Sequence, residues 1–190
     1  GYMPDVDGTG EDIPQGRIVV LADSDDDGKI DKRTVLLDKL LLPRSIYLLD
    51  DGILWANQES LFFQGRSGSK PVGKRIVVDK DYARGGNVEH KANSLVLGLD
   101  NWIYNAKSDR RYKKVKGKWA MERTPFRGQW GIDRDDYGRL FHNSNSTLLV
   151  GDFTFPNAVY GNTNSKMKAG ISARISSNRV WPIRVTPGVN

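Results

Sequence analysis

An all-β fold is what this sequence predicts, and three observations carry the prediction. Short β-branched and aromatic runs alternate with turns rich in Asp and Gly, and no apolar pattern of helical period is sustained. Three segments share one plan: an apolar run, an Asp/Gly turn, then an aliphatic–aromatic pair and a polar residue. They are Leu54-Trp55-Ala56-Asn57, Ile103-Tyr104-Asn105 and Leu140-Phe141-His142-Asn143. The plan recurs at roughly 40 to 50 residues, the spacing of a propeller blade. The expected architecture is therefore a β-propeller of four-stranded blades. The 190 residues make about four blades' worth of a larger ring.

Taken in order, residues 16–22 are β-branched and read as a strand. Asp23-Ser24-Asp25-Asp26-Asp27-Gly28-Lys29-Ile30-Asp31 follows. Its alternating carboxylates fall on one side, Gly28 allows a sharp bend, and the Lys29 carbonyl can complete an oxygen cage. Calcium takes six to eight oxygen ligands in loops of this kind. Asp23, Asp25, Asp27, Asp31 and Lys29 are thus the expected calcium ligands. Strands, not helices, flank the loop, and Thr34 stands where an EF-hand has its bidentate Glu, so the role expected is structural. Residues 32–37 read as the return strand.

Residues 43–57 read as strand, Asp-Gly turn, strand. Residues 61–64 supply a third strand, 65–73 a polar loop and 74–79 a fourth strand. His90 then enters ahead of the apolar run Ser94-Leu95-Val96-Leu97, which ends at the turn Gly98-Leu99-Asp100-Asn101 before Trp102-Ile103-Tyr104. A histidine at a strand entrance, fed by a loop, is well placed to face a pocket. Lys116-Gly117-Lys118 reads as a hairpin tip. Residues 127–143 again read as strand, turn, strand, and His142 reads as a blade residue.

Composition bounds the function. The net charge is +6, and its densest run, Arg110 to Lys118, reads as a solvated hairpin whose lysines protect its edge rather than a nucleic-acid reader. There is no cysteine, which excludes disulfides, thiolate metal sites and haem attachment within the chain. No apolar run approaches the roughly 20 residues of a membrane span. The longest, at 36–42, is broken by Asp38 and Lys39. The chain begins at Gly1 and finishes on an apolar, turn-like stretch, so a partial propeller over residues 1–190, part of a longer polypeptide, is the expected domain.

His90 with Asn93, the Gly98-Leu99-Asp100-Asn101-Trp102-Ile103-Tyr104 turn, Arg127-Gly128-Gln129-Trp130-Gly131 and the terminal Trp181-Pro182-Ile183-Arg184-Val185-Thr186-Pro187-Gly188-Val189-Asn190 together resemble one family. It is the membrane-bound dehydrogenases of planctomycete and verrucomicrobial bacteria, a branch of the soluble glucose/sorbosone dehydrogenase-like propellers. The resemblance spans nearly the whole chain and the first half to two-thirds of such a propeller. It implies a six-bladed ring holding pyrroloquinoline quinone over its channel. It implies His90 as the base that takes the substrate hydroxyl proton, and Arg127, opening a later strand, beside the quinone oxygens. Asn93, Trp130 and Arg184 are the further residues expected to line that pocket. Electrons would pass to a cytochrome c domain, with the remaining blades in the same or another chain, in a periplasmic or extracellular setting.

Two functions follow as expectations. One is a quinoprotein-like dehydrogenase oxidising a sugar or related alcohol, in which an imidazole base and a guanidinium beside the quinone share one pocket. The other is a non-catalytic, calcium-stabilised propeller that binds a glycan or a protein. Convergence of His90 and Arg127 on one open pocket separates them.

Overall fold

The computed structural model describes residues 9–10, 12–85, 90–153, 162, 164 and 170–177. The described residues form fourteen strands and no helix, in four antiparallel sheets. A hairpin of β1 (Gly16–Ala22) and β2 (Lys32–Leu40) comes first. The next sheet is β3 (Ile46–Leu49), β4 (Gly52–Ala56), β5 (Leu61–Ser67) and β6 (Lys70–Asp79). Another holds β7 (Asn93–Leu97), β8 (Ile103–Ala106), β9 (Ser108–Val115) and β10 (Lys118–Arg127). The last holds β11 (Ile132–Arg134), β12 (Leu140–Ser144), β13 (Thr147–Gly151) and β14 (Ala173–Arg174). Within every sheet, strands adjacent in sequence are adjacent in space.

Local chemistry explains the hairpins. Gly52 opens β4 so close to β5 that an added Cβ would lie 2.4 Å from the Gln64 carbonyl oxygen, so a side chain there would force the strands apart. At the β7–β8 turn Asn101 takes a left-handed φ of 62°, which asparagine tolerates better than most residues. Asp100 fixes that turn by accepting from the Trp102 amide and from the Tyr104 hydroxyl. Burial and this carboxylate hydrogen bond push the Tyr104 phenol well above its usual value, so it stays a donor.

The sheets stack face to face, and strand alternation assigns each face. Ile53 and Trp55 of β4 pack on Leu36 and Leu40 of β2. Leu54 and Ala56, pointing the other way, join Leu61, Phe63, Ile103 and Tyr112 in the largest core cluster. The far side of the β7–β10 sheet, through Tyr104 and Ala106, meets Ile132 and Leu140 of the last sheet. Full burial of side chains such as Leu54 and Leu61 stabilises by about 1.5–3 kcal/mol each. β4 is buried along its whole length because it is covered on both faces. The first strands β3, β7 and β11 also pack on one another in sequence. A carboxylate clamp joins two of the sheets: Asp79 at the end of β6 accepts from Arg110 at 2.5 Å and from the Tyr112 hydroxyl at 2.7 Å.

Two expectations need correction. Residues 65–73 are mostly strand: β5 runs to Ser67 and β6 starts at Lys70, because an outer strand carries polar side chains without losing its pairing. Arg127 does not open a strand. It is the last residue of β10, paired with Ser108, and β11 begins only at Ile132.

Candidate functional site

The loop 128–131 joins the outer strand β10 to the first strand β11 and is held by hydrogen bonds from each of its residues. Gly128 and Gly131 have φ of 71° and 81°, so the backbone turns where other residues would be strained. The Gly128 amide donates to Nδ1 of His142 at 3.0 Å. The Gln129 amide donates to the Asn143 carbonyl at 2.9 Å. Asn93, first residue of β7, donates through Nδ2 to the Gln129 carbonyl and accepts at Oδ1 from the Gly131 amide. Trp130, half-buried, is fixed by Nε1–H donating to Asn145 Oδ1 at 2.8 Å.

His90 lies half-buried at the approach to β7, where its ring meets Trp130 edge to face, with centroids 5.2 Å apart and planes at 76°. Three of the residues expected at the site, His90, Asn93 and Trp130, are thus brought to one place where β7 and β11 begin. Asn93 spends its amide on the backbone and acts as the tether, while Trp130 and His90 supply rings.

Arg127 belongs to a different environment. Its side chain is 1% exposed, and both Nε and Nη2 donate to Oδ2 of Asp152, at 3.2 and 2.9 Å. Nη1 donates to Thr124 Oγ1 and to the Pro125 carbonyl. Its guanidinium also lies over the Tyr104 ring. Asp152, equally buried, uses its other oxygen to accept from the Ser172 amide. This guanidinium has no donor directed into an open pocket, so it does not share one with His90. Arg127 therefore does not fit the role beside the quinone oxygens that the resemblance implies. Arg184 lies outside the described residues.

Sequence reasoning missed four partners. Asp152 is the counter-charge of Arg127, and Asn145 orients Trp130. Lys91, beside His90, is buried with Nζ donating to the Ala83 carbonyl at 3.1 Å. Burial first, then the nearby charge of Arg44, lowers the Lys91 ammonium below its ordinary value. Arg44 is itself lowered by burial. Arg44, Lys91 and Trp130 each stand two residues ahead of a first strand, a phase that the repeat of sheets makes readable afterwards. His142, read as a blade residue, is half-buried, and its neutral ring accepts the Gly128 amide at Nδ1. The ring proton is therefore on Nε2, which contacts Ser172 Oγ at 3.3 Å.

The acidic loop joins β1 to β2. Carboxylate oxygens of Asp23, Asp25 and Asp27 lie within 4.8 Å of one another, a spread a hard cation could draw together. Asp31 does not join them. It turns to Ser24, accepting from its amide at 3.0 Å and from its hydroxyl, and these bonds hold its carboxyl below the usual range. The Lys29 amide and ammonium both donate to Asp27. Partial desolvation raises the Asp23 carboxyl, but donation from the Gly28 amide and from neighbours in the loop outweighs it and lowers the group overall.

No helix among the described residues is long and apolar enough to cross a membrane. Comparison with curated proteins and with solved structures finds no match. One family model does match, over residues 1–189, and by that match the chain belongs to the family described as a domain of unknown function, DUF7133.

Proposed function

We propose that the stacked sheets are consecutive blades of a β-propeller and that the protein binds a glycan at the His90–Trp130 rim. The observation that carries this reading is the edge-to-face pairing of His90 with Trp130, whose loop is locked from both sides, while the Arg127 guanidinium is sealed in an ion pair. Sugars present C–H faces that stack on an indole and hydroxyls that bond to an imidazole, so a rigid aromatic platform beside a histidine suits them. Fixing Trp130 through Asn145 removes the entropy cost of ordering the platform on binding. Titration calorimetry with neutral oligosaccharides tests it. Trp130→Ala should weaken binding at least about tenfold, or about 1.4 kcal/mol, with the melting temperature kept within the range of other surface variants. Equal affinity in that variant would refute the rim as the site.

A second reading is the sugar or alcohol dehydrogenase, favoured by the position of half-buried His90 at the entrance to a first strand. His90 would be the base, and the oxidant would be held by groups other than Arg127. Dye reduction by sugars with added quinone distinguishes the two readings, since removing a positioned base lowers the rate roughly 10² to 10⁴-fold.

A further inference from the structure

The seam between the β3–β6 and β7–β10 sheets holds a buried cation that lacks a counter-charge. Lys91, just ahead of β7, is 8% exposed, and its ammonium donates one hydrogen bond, to the Ala83 carbonyl at 3.1 Å. An ammonium has three protons to place, and a buried charge is normally paired. Among the described residues Lys91 forms no ion pair. Asp79, near the start of the link from β6 to β7, is already taken by Arg110 and Tyr112. Burial, then the charge of Arg44, disfavours the Lys91 ammonium, and exposed Glu59 only partly opposes them. The net field on this buried cation is therefore repulsive.

Two neutral donors are stranded in the same seam. Tyr82 and Ser45 are 4% and 7% exposed, and neither hydroxyl finds a hydrogen-bond partner among the described residues. The Ser45 hydroxyl lies beside that of Tyr82 without reaching hydrogen-bond geometry. Burial holds the Tyr82 phenol far above its usual value, so it remains a donor. Packing puts these groups together. Tyr82 and Ala83 join Ala56 of β4 and Ala92, the neighbour of Lys91, in one core cluster. The Ser45 carbonyl accepts the Ala56 amide at 3.0 Å, and the Arg44 amide donates to the Ala56 carbonyl at 2.8 Å. The Arg44 charge acts on both Tyr82 and Lys91. Buried donors left in such a group call for an acceptor. Arg44 and Ser45 also line a cleft of about 600 Å³, so the seam borders open volume.

We propose that this seam binds a small carboxylate, held between the Lys91 ammonium and the hydroxyls of Tyr82 and Ser45. One carboxylate oxygen accepts from the ammonium and the other from the hydroxyls. A single negative charge matches the one buried ammonium, and the Arg44 charge adds attraction. Charge-assisted hydrogen bonds are the strong ones, more so where water is excluded. A buried water would satisfy the hydroxyls but would leave the ammonium without a counter-charge. Two sources present this chemistry: a free monocarboxylic acid, and a sugar acid seated at the rim, since His90 is the neighbour of Lys91. The inference stands on the seam and does not rest on the rim reading.

The probes are sodium acetate and sodium glucuronate, compared with sodium chloride at constant ionic strength. Calorimetry and thermal melts follow their binding to the 190-residue protein. At least one carboxylate should bind and raise the melting temperature beyond the effect of chloride. Lys91→Met keeps the buried stem and removes the charge, and it should weaken that binding at least about tenfold. Tyr82→Phe keeps the ring in its core cluster and should weaken binding several-fold, and it carries the test if the lysine variant does not fold. Trp130→Ala separates the sources: weaker binding of glucuronate but not of acetate marks a sugar acid, and no change for either marks a free acid. Two results would overturn the proposal. One is a response to acetate and glucuronate no greater than to chloride, which leaves water as the occupant. The other is carboxylate binding that both Tyr82→Phe and a folded Lys91→Met retain at the parent's affinity.

Discussion

Arg127 and Asp152 meet as a fully buried pair, the guanidinium giving two hydrogen bonds to a single carboxylate oxygen while the other oxygen receives the Ser172 amide. The pair ties the end of β10 to the residue just after β13, and so joins two sheets. Its chemistry is that of a structural lock. Removing one partner leaves a buried charge without compensation, which typically costs about 3–5 kcal/mol.

Asp152→Asn and Arg127→Ala should each lower stability by about that amount in urea melts, and Arg127→Lys should not restore it, because an ammonium cannot replace the forked donors. A variant at Arg127 that folds as stably as the parent but loses activity would reverse this assignment.

The His142 ring gives a pH dependence whose sign can be worked out. Burial, then the charge of Arg127, lowers its folded-state value below the ordinary 6.5, with Asp152 opposing. The unfolded chain therefore binds the proton more readily than the folded one, and stability rises with pH in that window. The contribution is complete above about pH 6.5 and is lost as pH falls through the lower folded value, by at most about 1.4 kcal/mol per pH unit. Protonation also turns Nδ1 from acceptor to donor against the Gly128 amide, which loosens the loop carrying Trp130. Thermal melts between pH 7.5 and 5 should show this slope, and His142→Gln should flatten it.

Calcium should raise the melting temperature through Asp23, Asp25 and Asp27, whose carboxylate oxygens lie within 4.8 Å of one another. Asp23→Asn combined with Asp25→Asn should abolish the effect. Asp31→Asn should leave it, because Asp31 is turned to Ser24. An equal response of the double variant and the parent in calorimetry would dismiss the loop as a cation site.

The strand–turn–strand plan was legible because alternation and Asp-Gly turns act over a few residues. Ile46 to Ala56, the hairpin after His90 and the tip at Lys116-Gly117 all stand where local chemistry puts them. β6 was misread in part because its apolar residues Val72, Ile76 and Val77 are exposed and mixed with Lys70, Lys74 and Arg75. An outermost strand has no buried face to impose a period of two. Arg127 was misplaced for a related reason: only four residues separate the end of β10 from β11, so the exit of one strand looks like the entrance of the next. Its partner is 25 residues away, a separation at which pairing is fixed by tertiary structure alone. The meeting of His90, Asn93 and Trp130 was anticipated as a shared lining, but the division into tether and rings depends on hydrogen bonds that sequence does not display.

Because every sheet is a meander of consecutive strands, the molecule can be assembled in the order in which it is synthesised. The hairpin β1–β2 emerges first and offers Leu36 and Leu40 as a template for Ile53 and Trp55. β3–β6 then settles on it, and the face carrying Leu54 and Ala56 waits for β7–β10 to seal it a few dozen residues later. Pairings close in sequence form quickly because little chain entropy is lost in bringing their ends together. The core-forming face that still awaits its partner is thus always the one at the growing end. Its exposure is rationed in time, which limits misassembly between neighbouring ribosome-bound chains.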